Sequence, residues 1–77
     1  MTETENYRTR TQIAIYANLD ALSDRLARAA ALAAEACVAL ESGEQNQAIG
    51  TILGFEKELP EMTALFNAAL VLHRNSR

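Results

Sequence analysis

Apolar side chains recur every three or four residues along two long stretches of the chain, one on each side of a Ser-Gly pair. Such spacing places one apolar seam along each of two α-helices. The pattern therefore predicts an all-α chain built as an antiparallel helical hairpin, with seams of the coiled-coil type. The predicted seam residues are Ile15, Leu19, Leu22, Leu26, Ala29, Ala33, Ala36 and Leu40 in the first helix, and Ile52, Phe55, Leu59, Met62, Phe66, Ala69 and His73 in the second.

The ends of the two helices carry recognisable stop and start signals. Thr9 and Gln12 have the spacing of a capping box that opens the first helix. Gly43 can take the left-handed position that closes it, and Ser42 with Gln45 also fits a capping box for the second helix. We expect one hairpin domain over 9–77 after a frayed tail at 1–8, with a helix over 9–41, a turn at 42–43 and a helix over 44–73.

Pro60 lies in the middle of the second predicted helix. Proline removes one backbone hydrogen bond and crowds the preceding turn. Either one helix continues through Pro60 with a kink, or the helix ends at Leu59 and a third helix begins at Pro60. The three-four steps continue across Pro60 without a slip, which favours the kink.

The stretch from Met62 to Leu72 is apolar on nearly all sides, and a helix of that kind is buried by several neighbours. A hairpin supplies only one neighbour, so a second copy of the chain is the simplest remedy. Two hairpins make a four-helix bundle, and twofold dimers are the commonest oligomers. The predicted interface with a second copy or another partner is Leu19, Leu22, Leu26, Ala29, Ala33, Phe55, Leu59, Met62, Phe66, Ala69 and Leu70.

Length and composition support a small helical module. A chain of 77 residues makes a single domain with a marginal core. Fifteen alanines favour helix and allow close helix approach. The net charge of −3 argues against general nucleic-acid binding, no stretch is apolar enough to span a membrane, and the polar start is not a signal peptide. One free cysteine fits a reducing compartment, so we expect the cytoplasm.

The chain has few groups that suggest chemistry, and each has a simpler structural interpretation. His73 is expected on the seam, half-buried at the bundle end, and Cys37 is expected to be buried and inert. Glu56, Glu58 and Glu61 are expected on a solvated face. The same holds for Asn18, Asp24, Arg25, Arg28 and Glu35. We therefore predict no enzyme activity, no cofactor and no metal site.

An antiparallel hairpin would gather basic residues at its open end and acidic residues at its turn. The open end would carry Arg8, Arg10, His73, Arg74 and Arg77, and the turn end Glu35, Glu41 and Glu44. These charges could complement helix dipoles and keep the ends soluble, pair two hairpins head to tail, or bind an anion such as a nucleotide or RNA.

The leading hypothesis is a small non-enzymatic interaction protein, an adaptor, co-chaperone, inhibitor or other regulator, with a bacterium, a plasmid and a phage all left open as its source. It would act as a homo-oligomeric bundle, a homodimer or higher oligomer, whose partner is another protein. The alternative is a regulatory bundle that binds a nucleotide or RNA through the arginines of the open end.

Overall fold

The computed structural model describes residues 9–76, and these form three α-helices: α1 Arg10–Glu41, α2 Gln45–Ile52 and α3 Phe55–Arg74. Helix α1 packs against both α2 and α3, so the described residues form an all-helical hairpin with α1 as one arm and α2 and α3 as the other. The predicted fold class is confirmed at this level. The predicted tail at 1–8 lies outside the described residues.

Helix α1 begins with the predicted capping box. The Thr9 hydroxyl oxygen accepts a hydrogen bond of 3.0 Å from the Gln12 amide, and the Thr9 amide donates one of 2.9 Å to the Gln12 side-chain oxygen. In both bonds the donor is a backbone amide at the start of the helix, which has no partner within the helix and would otherwise bind water. The start of α1 is therefore set by its local sequence.

The turn between α1 and α2 follows the first of the two predicted alternatives. Gly43 has φ of 82°, a backbone conformation that glycine adopts without steric cost. The Gly43 amide donates to the Leu40 carbonyl and the Glu44 amide to the Ala39 carbonyl, each at 2.9 Å, which is the Schellman arrangement. The predicted capping box of Ser42 and Gln45 is wrong, because Glu44 is the N-cap of α2 and no side chain caps that helix.

The second arm consists of two helices rather than the single helix predicted over 44–73, and the break lies upstream of Pro60. Pro60 lies inside α3, so a third helix beginning at Pro60 is wrong, and the interruption falls at Leu53 and Gly54. There the amides of Glu56 and Lys57 donate to carbonyls three residues back, which tightens one turn. Glycine has a low helix propensity, so the helical hydrogen-bond pattern gives way at Gly54 at little cost.

Each predicted seam consists of two lines of residues, each line having a spacing of seven. In each arm only one of the two predicted lines lies in the observed seam, and a neighbouring line replaces the other. In α1 the predicted line Ile15, Leu22, Ala29, Ala36 faces the second arm, but its companion line is Asn18, Arg25, Leu32, Ala39. The second arm likewise uses Ala48, Phe55, Met62, Ala69 together with Thr51, Glu58, Leu65, Leu72. All sixteen of these side chains are buried or half-buried.

The core that this seam encloses is small. Among the described residues, only Ala29, Ala39, Ala48, Met62 and Ala69 are buried, and no large side chain is fully buried. Four of the five are alanines, whose burial contributes little hydrophobic free energy because little apolar area leaves water. The hairpin alone therefore has a weak core.

Candidate protein-interaction surface

Each arm carries a second apolar stripe that lies outside the hairpin seam. In α1 it consists of Tyr16, Leu19, Ser23, Leu26, Ala30, Ala33, Cys37 and Leu40, all exposed. In the other arm it consists of Ile49, Ile52, Glu56, Leu59, Thr63, Phe66, Leu70 and His73, exposed except for the half-buried Ile52 and Leu70. Both stripes keep the alternating three-four spacing of a helix-packing surface.

The two stripes lie on the same side of the hairpin. Each stripe follows its seam by one residue, as Leu19 follows Asn18 and Phe66 follows Leu65, and is therefore turned about 100° from the seam in the same sense along the chain. Because the two arms face each other and run in opposite directions, this equal rotation brings both stripes to one side. Together they form one surface, called here the second apolar face.

The second apolar face holds most of the large apolar side chains that remain in water. Seven of the eleven exposed large hydrophobic residues of the described chain belong to it, with exposed fractions between 48% and 60%. They are Tyr16, Leu19, Leu26, Leu40, Ile49, Leu59 and Phe66. A shallow groove lined by Gln12, Ile15, Tyr16 and Leu19 opens onto it. Its single carboxylate within the described residues is Glu56.

The opposite side of the hairpin is polar. Helical geometry places six charged residues there, called here the polar face: Arg10, Asp24, Arg28, Glu35, Lys57 and Glu61. The hairpin is thus amphipathic across its two broad sides. This is the arrangement of a helical layer that packs one side against a partner and keeps the other in water.

An ionic cluster centred on Arg25 joins the two arms. The Arg25 Nη1 atom donates a 3.0 Å hydrogen bond to Glu58 Oε1 and also pairs with the Glu61 carboxylate. The Arg25 and Glu58 side chains are only 28% and 21% exposed, so the expectation that Arg25 and Glu58 lie on a solvated face is wrong. The cluster fixes Arg25 level with the turn of α3 between Glu58 and Glu61.

Asn18 is the other polar residue that α1 contributes to the seam. Its side-chain amide donates a 3.0 Å hydrogen bond to the Ala14 carbonyl one turn back, so the polar group is satisfied although the residue is half-buried. Asn18 was expected on the solvated side. A locally satisfied amide and a paired guanidinium explain how two polar residues take seam positions that the apolar pattern assigned to leucines.

The structure divides the predicted interface set into two groups. Leu22, Ala29, Phe55, Met62 and Ala69 are covered inside the hairpin. Leu19, Leu26, Ala33, Leu59, Phe66 and Leu70 lie on the second apolar face. The predicted interface leaves out Tyr16, Leu40, Ile49 and Ile52, which also lie on the second apolar face. A second set of three-four steps, displaced by one residue from the seam, is the signal that identifies them.

Cys37 and His73 lie elsewhere than expected. Cys37 is exposed on the second apolar face rather than buried, and His73 is exposed near the end of α3 rather than half-buried on the seam. Both expectations are wrong because the hairpin packs through the neighbouring line of residues. Neither side chain lies in a group of metal-binding side chains, and the described residues contain no cluster of three or more.

The described part of the basic open end contains Arg10, His73 and Arg74, all exposed. Helical geometry turns them in different directions: Arg10 toward the polar face, His73 toward the second apolar face and Arg74 away from the seam. The three residues therefore lie at one end of the hairpin, but their side chains do not point toward a common site. The other two predicted members, Arg8 and Arg77, lie outside the described residues.

Comparison with known proteins adds no family. The sequence matches no protein-family model, and no curated protein or solved structure is similar to it. Within residues 9–76, none of the helices has the length and apolar character needed to cross a membrane.

Proposed function

We propose that the protein is a non-enzymatic protein–protein interaction module that works as a homodimeric four-helix bundle. The observation that carries this proposal is the second apolar face, a surface of both arms with continuous helix-packing spacing that no element of residues 9–76 covers. In the proposed dimer, this face of one copy packs against the same face of another. The polar faces then point outward on both sides of the bundle.

The area of the second apolar face is similar to the area that each partner buries in a stable dimer. Seven half-exposed side chains of this size each keep on the order of 100 Å² in contact with water. Together they amount to about 700 Å², close to the roughly 800 Å² that each partner buries in a standard protein–protein interface. The face therefore offers what a specific interface requires, and more than the scattered apolar residues of an ordinary monomer surface.

The weak core of the hairpin favours the same conclusion. Ordering each residue costs about 1–2 kcal/mol of conformational entropy, which a small domain must offset by burying apolar area. A hairpin whose buried residues are four alanines and Met62 offsets little of that cost. Packing two copies together buries the leucines and Phe66 that the hairpin leaves in water, so folding and association are coupled in the proposal.

The polar faces of the dimer are the surfaces that remain for a further protein partner. They carry charges of both signs over a background of alanines, which suits reversible docking of another protein rather than capture of a polyanion. An adaptor, co-chaperone, inhibitor or other regulator needs such a rigid, two-sided bundle and no catalytic group. A cytoplasmic setting remains part of the proposal because it suits the free thiol of Cys37.

RNA or nucleotide binding at the basic open end is the competing function. It rests on Arg10, His73 and Arg74, and a phosphate site needs donors that converge. Their different directions around the helices give this function less support than the second apolar face gives to self-association. The alternative stays testable, because bound nucleotide or RNA is easily detected in a chain with two tyrosines and no tryptophan.

Size-exclusion chromatography with light scattering, recorded at 260 and 280 nm, decides between the two functions. The expected result is a single species of twice 8.4 kDa whose absorbance ratio is that of protein alone. A ratio dominated by 260 nm absorbance that travels with the chain would establish the nucleic-acid alternative. A well-folded species of 8.4 kDa would remove the dimer from the proposal.

A further inference from the structure

We infer that the two copies of the proposed dimer run antiparallel, about a twofold axis that lies across the helices at the level of Leu26 and Leu59. The inference rests on the proposed function and specifies its geometry. An axis across the helices places α1 on α1 of the second copy and reverses its direction. The alternative axis, along the helices, would place both turns at the same end of the bundle.

The register of the hairpin divides the second apolar face into layers. Arg25 lies level with the turn between Glu58 and Glu61, so the neighbouring Leu26 lies level with Leu59. At helical spacing, this register pairs the remaining stripe residues across the face. From the open end toward the turn, the layers of two large residues are Tyr16 with Leu70, Leu19 with Phe66 and Leu26 with Leu59. Nearer the turn, the layers with a small residue on α1 are Ala33 with Ile52 and Cys37 with Ile49.

The side-chain volume of the layers is distributed unevenly along the face. Only an antiparallel dimer places the layers of large volume against the layers of small volume. Layers toward the open end contain Phe66 and Tyr16, whereas the layers between Leu26 and Leu40, on the turn side, contain alanine or cysteine on α1. When the copies are antiparallel, the Leu19 and Phe66 layer meets the Ala33 and Ile52 layer of the second copy. In a parallel dimer each layer packs against the same layer of the second copy. The half near the open end is then overpacked and the half near the turn contains voids, and both defects destabilise the dimer.

Glu56 gives a second, independent argument for the same orientation. It lies level with Ala30 and is the one carboxylate among the described residues of the second apolar face. In an antiparallel dimer, Glu56 faces the layer of Ser23 and Thr63 in the second copy, whose hydroxyl groups can donate hydrogen bonds to it. In a parallel dimer the two Glu56 carboxylates occupy one layer, where like charges repel in a poorly solvated site.

The charges at the two ends of the hairpin agree with this orientation. The described open end carries Arg10, His73 and Arg74, whereas the turn end carries Glu41 and Glu44, and all five are exposed. An antiparallel dimer sets the basic end of each copy beside the acidic end of the other. A parallel dimer would instead gather like charges at each end of the bundle, which opposes association and is relieved only by salt.

Spin-label distances between the two turns test the orientation. The single cysteine is removed by Cys37→Ala, and Ser42→Cys then places one label at each turn. Ser42 is 16 residues from Leu26, so an antiparallel dimer separates the two labels by about 48 Å. A parallel dimer would hold them within roughly 25 Å. The matched sample mixes chains labelled through Ser42→Cys with chains labelled through Asn75→Cys, and there the antiparallel dimer gives the short distance.

The outcomes separate the orientation from the proposed function. A long distance between the turns together with a short mixed distance confirms the antiparallel dimer. A short distance between the turns in a sample of dimer mass overturns the orientation and leaves the dimer standing. A monomer mass for the unlabelled wild-type chain overturns the proposed function, and the inference with it.

Discussion

Phe66→Asp is expected to dissociate the proposed dimer. Phe66 is 51% exposed in the hairpin and lies on the second apolar face, so its ring would be buried only by the second copy. The dimer of this variant loses two phenylalanine rings and gains two carboxylates at a desolvated interface. Losing the rings alone costs about 4 kcal/mol per dimer, a weakening of roughly 1,000-fold, and the buried charges add to it. Sedimentation equilibrium measures the dissociation constant.

Val71→Asp is the matched control for this variant. Val71 is 50% exposed on the same helix, but it shares a heptad line with Lys57 on the opposite side of the hairpin. The same charge placed there stays in water, so the dissociation constant of Val71→Asp is expected to match that of the wild type. Equal weakening by both substitutions would show that general loss of helix packing, rather than the second apolar face, controls association.

Glu56→Leu is expected to tighten the dimer. The substitution replaces the carboxylate on the second apolar face with an apolar side chain that continues the run of Ile49, Ile52 and Leu59. Burying two leucines is worth about 4 kcal/mol, from which the loss of the hydrogen bonds to Ser23 and Thr63 subtracts about 1–2 kcal/mol. The net gain is about 2–3 kcal/mol per dimer, or roughly 100-fold in the dissociation constant.

Glu35→Leu separates this effect from the general benefit of leucine in a helix. Glu35 is exposed on the polar face, and leucine there gains helix propensity but covers no partner surface. We expect the dissociation constant of Glu35→Leu to stay within about 2-fold of the wild-type value. A Glu56→Leu variant that associates no more tightly than Glu35→Leu would place Glu56 outside the interface.

Local signals predicted the hairpin well. The capping box at Thr9 and the positive φ of Gly43 depend on residues only a few positions apart, so the sequence contains the whole cause of each. The absence of glycine and proline between these two residues then allows one long helix. Fold class, the start of α1 and the turn therefore followed from the sequence.

The division of the apolar surface between hairpin seam and second face did not follow from the sequence. Helix α1 has an apolar arc wide enough for two neighbours, and the three-four steps alone do not decide which half the second arm covers. The half that the second arm covers includes Arg25, whose carboxylate partners Glu58 and Glu61 come from more than thirty residues away. The same displacement of one line explains why Cys37 and His73 are exposed.

The interruption at Gly54 also depends on more than local rules. Pro60 is the stronger helix breaker in isolation. Within the structure, α3 continues through Pro60, and the hydrogen-bond pattern tightens six residues earlier, where glycine adds no side chain to accommodate. A ranking of single residues by helix propensity identifies Pro60 and misses the position that gives way.

The dependence of the melting temperature on protein concentration tests the central claim most directly. Thermal unfolding of the wild-type chain is followed by circular dichroism at concentrations about 100-fold apart. If the second apolar face binds a second copy, unfolding includes dissociation, and the melting temperature rises by about 8 °C across that range. A melting temperature that does not change with concentration would show that the hairpin folds alone, and would contradict the account.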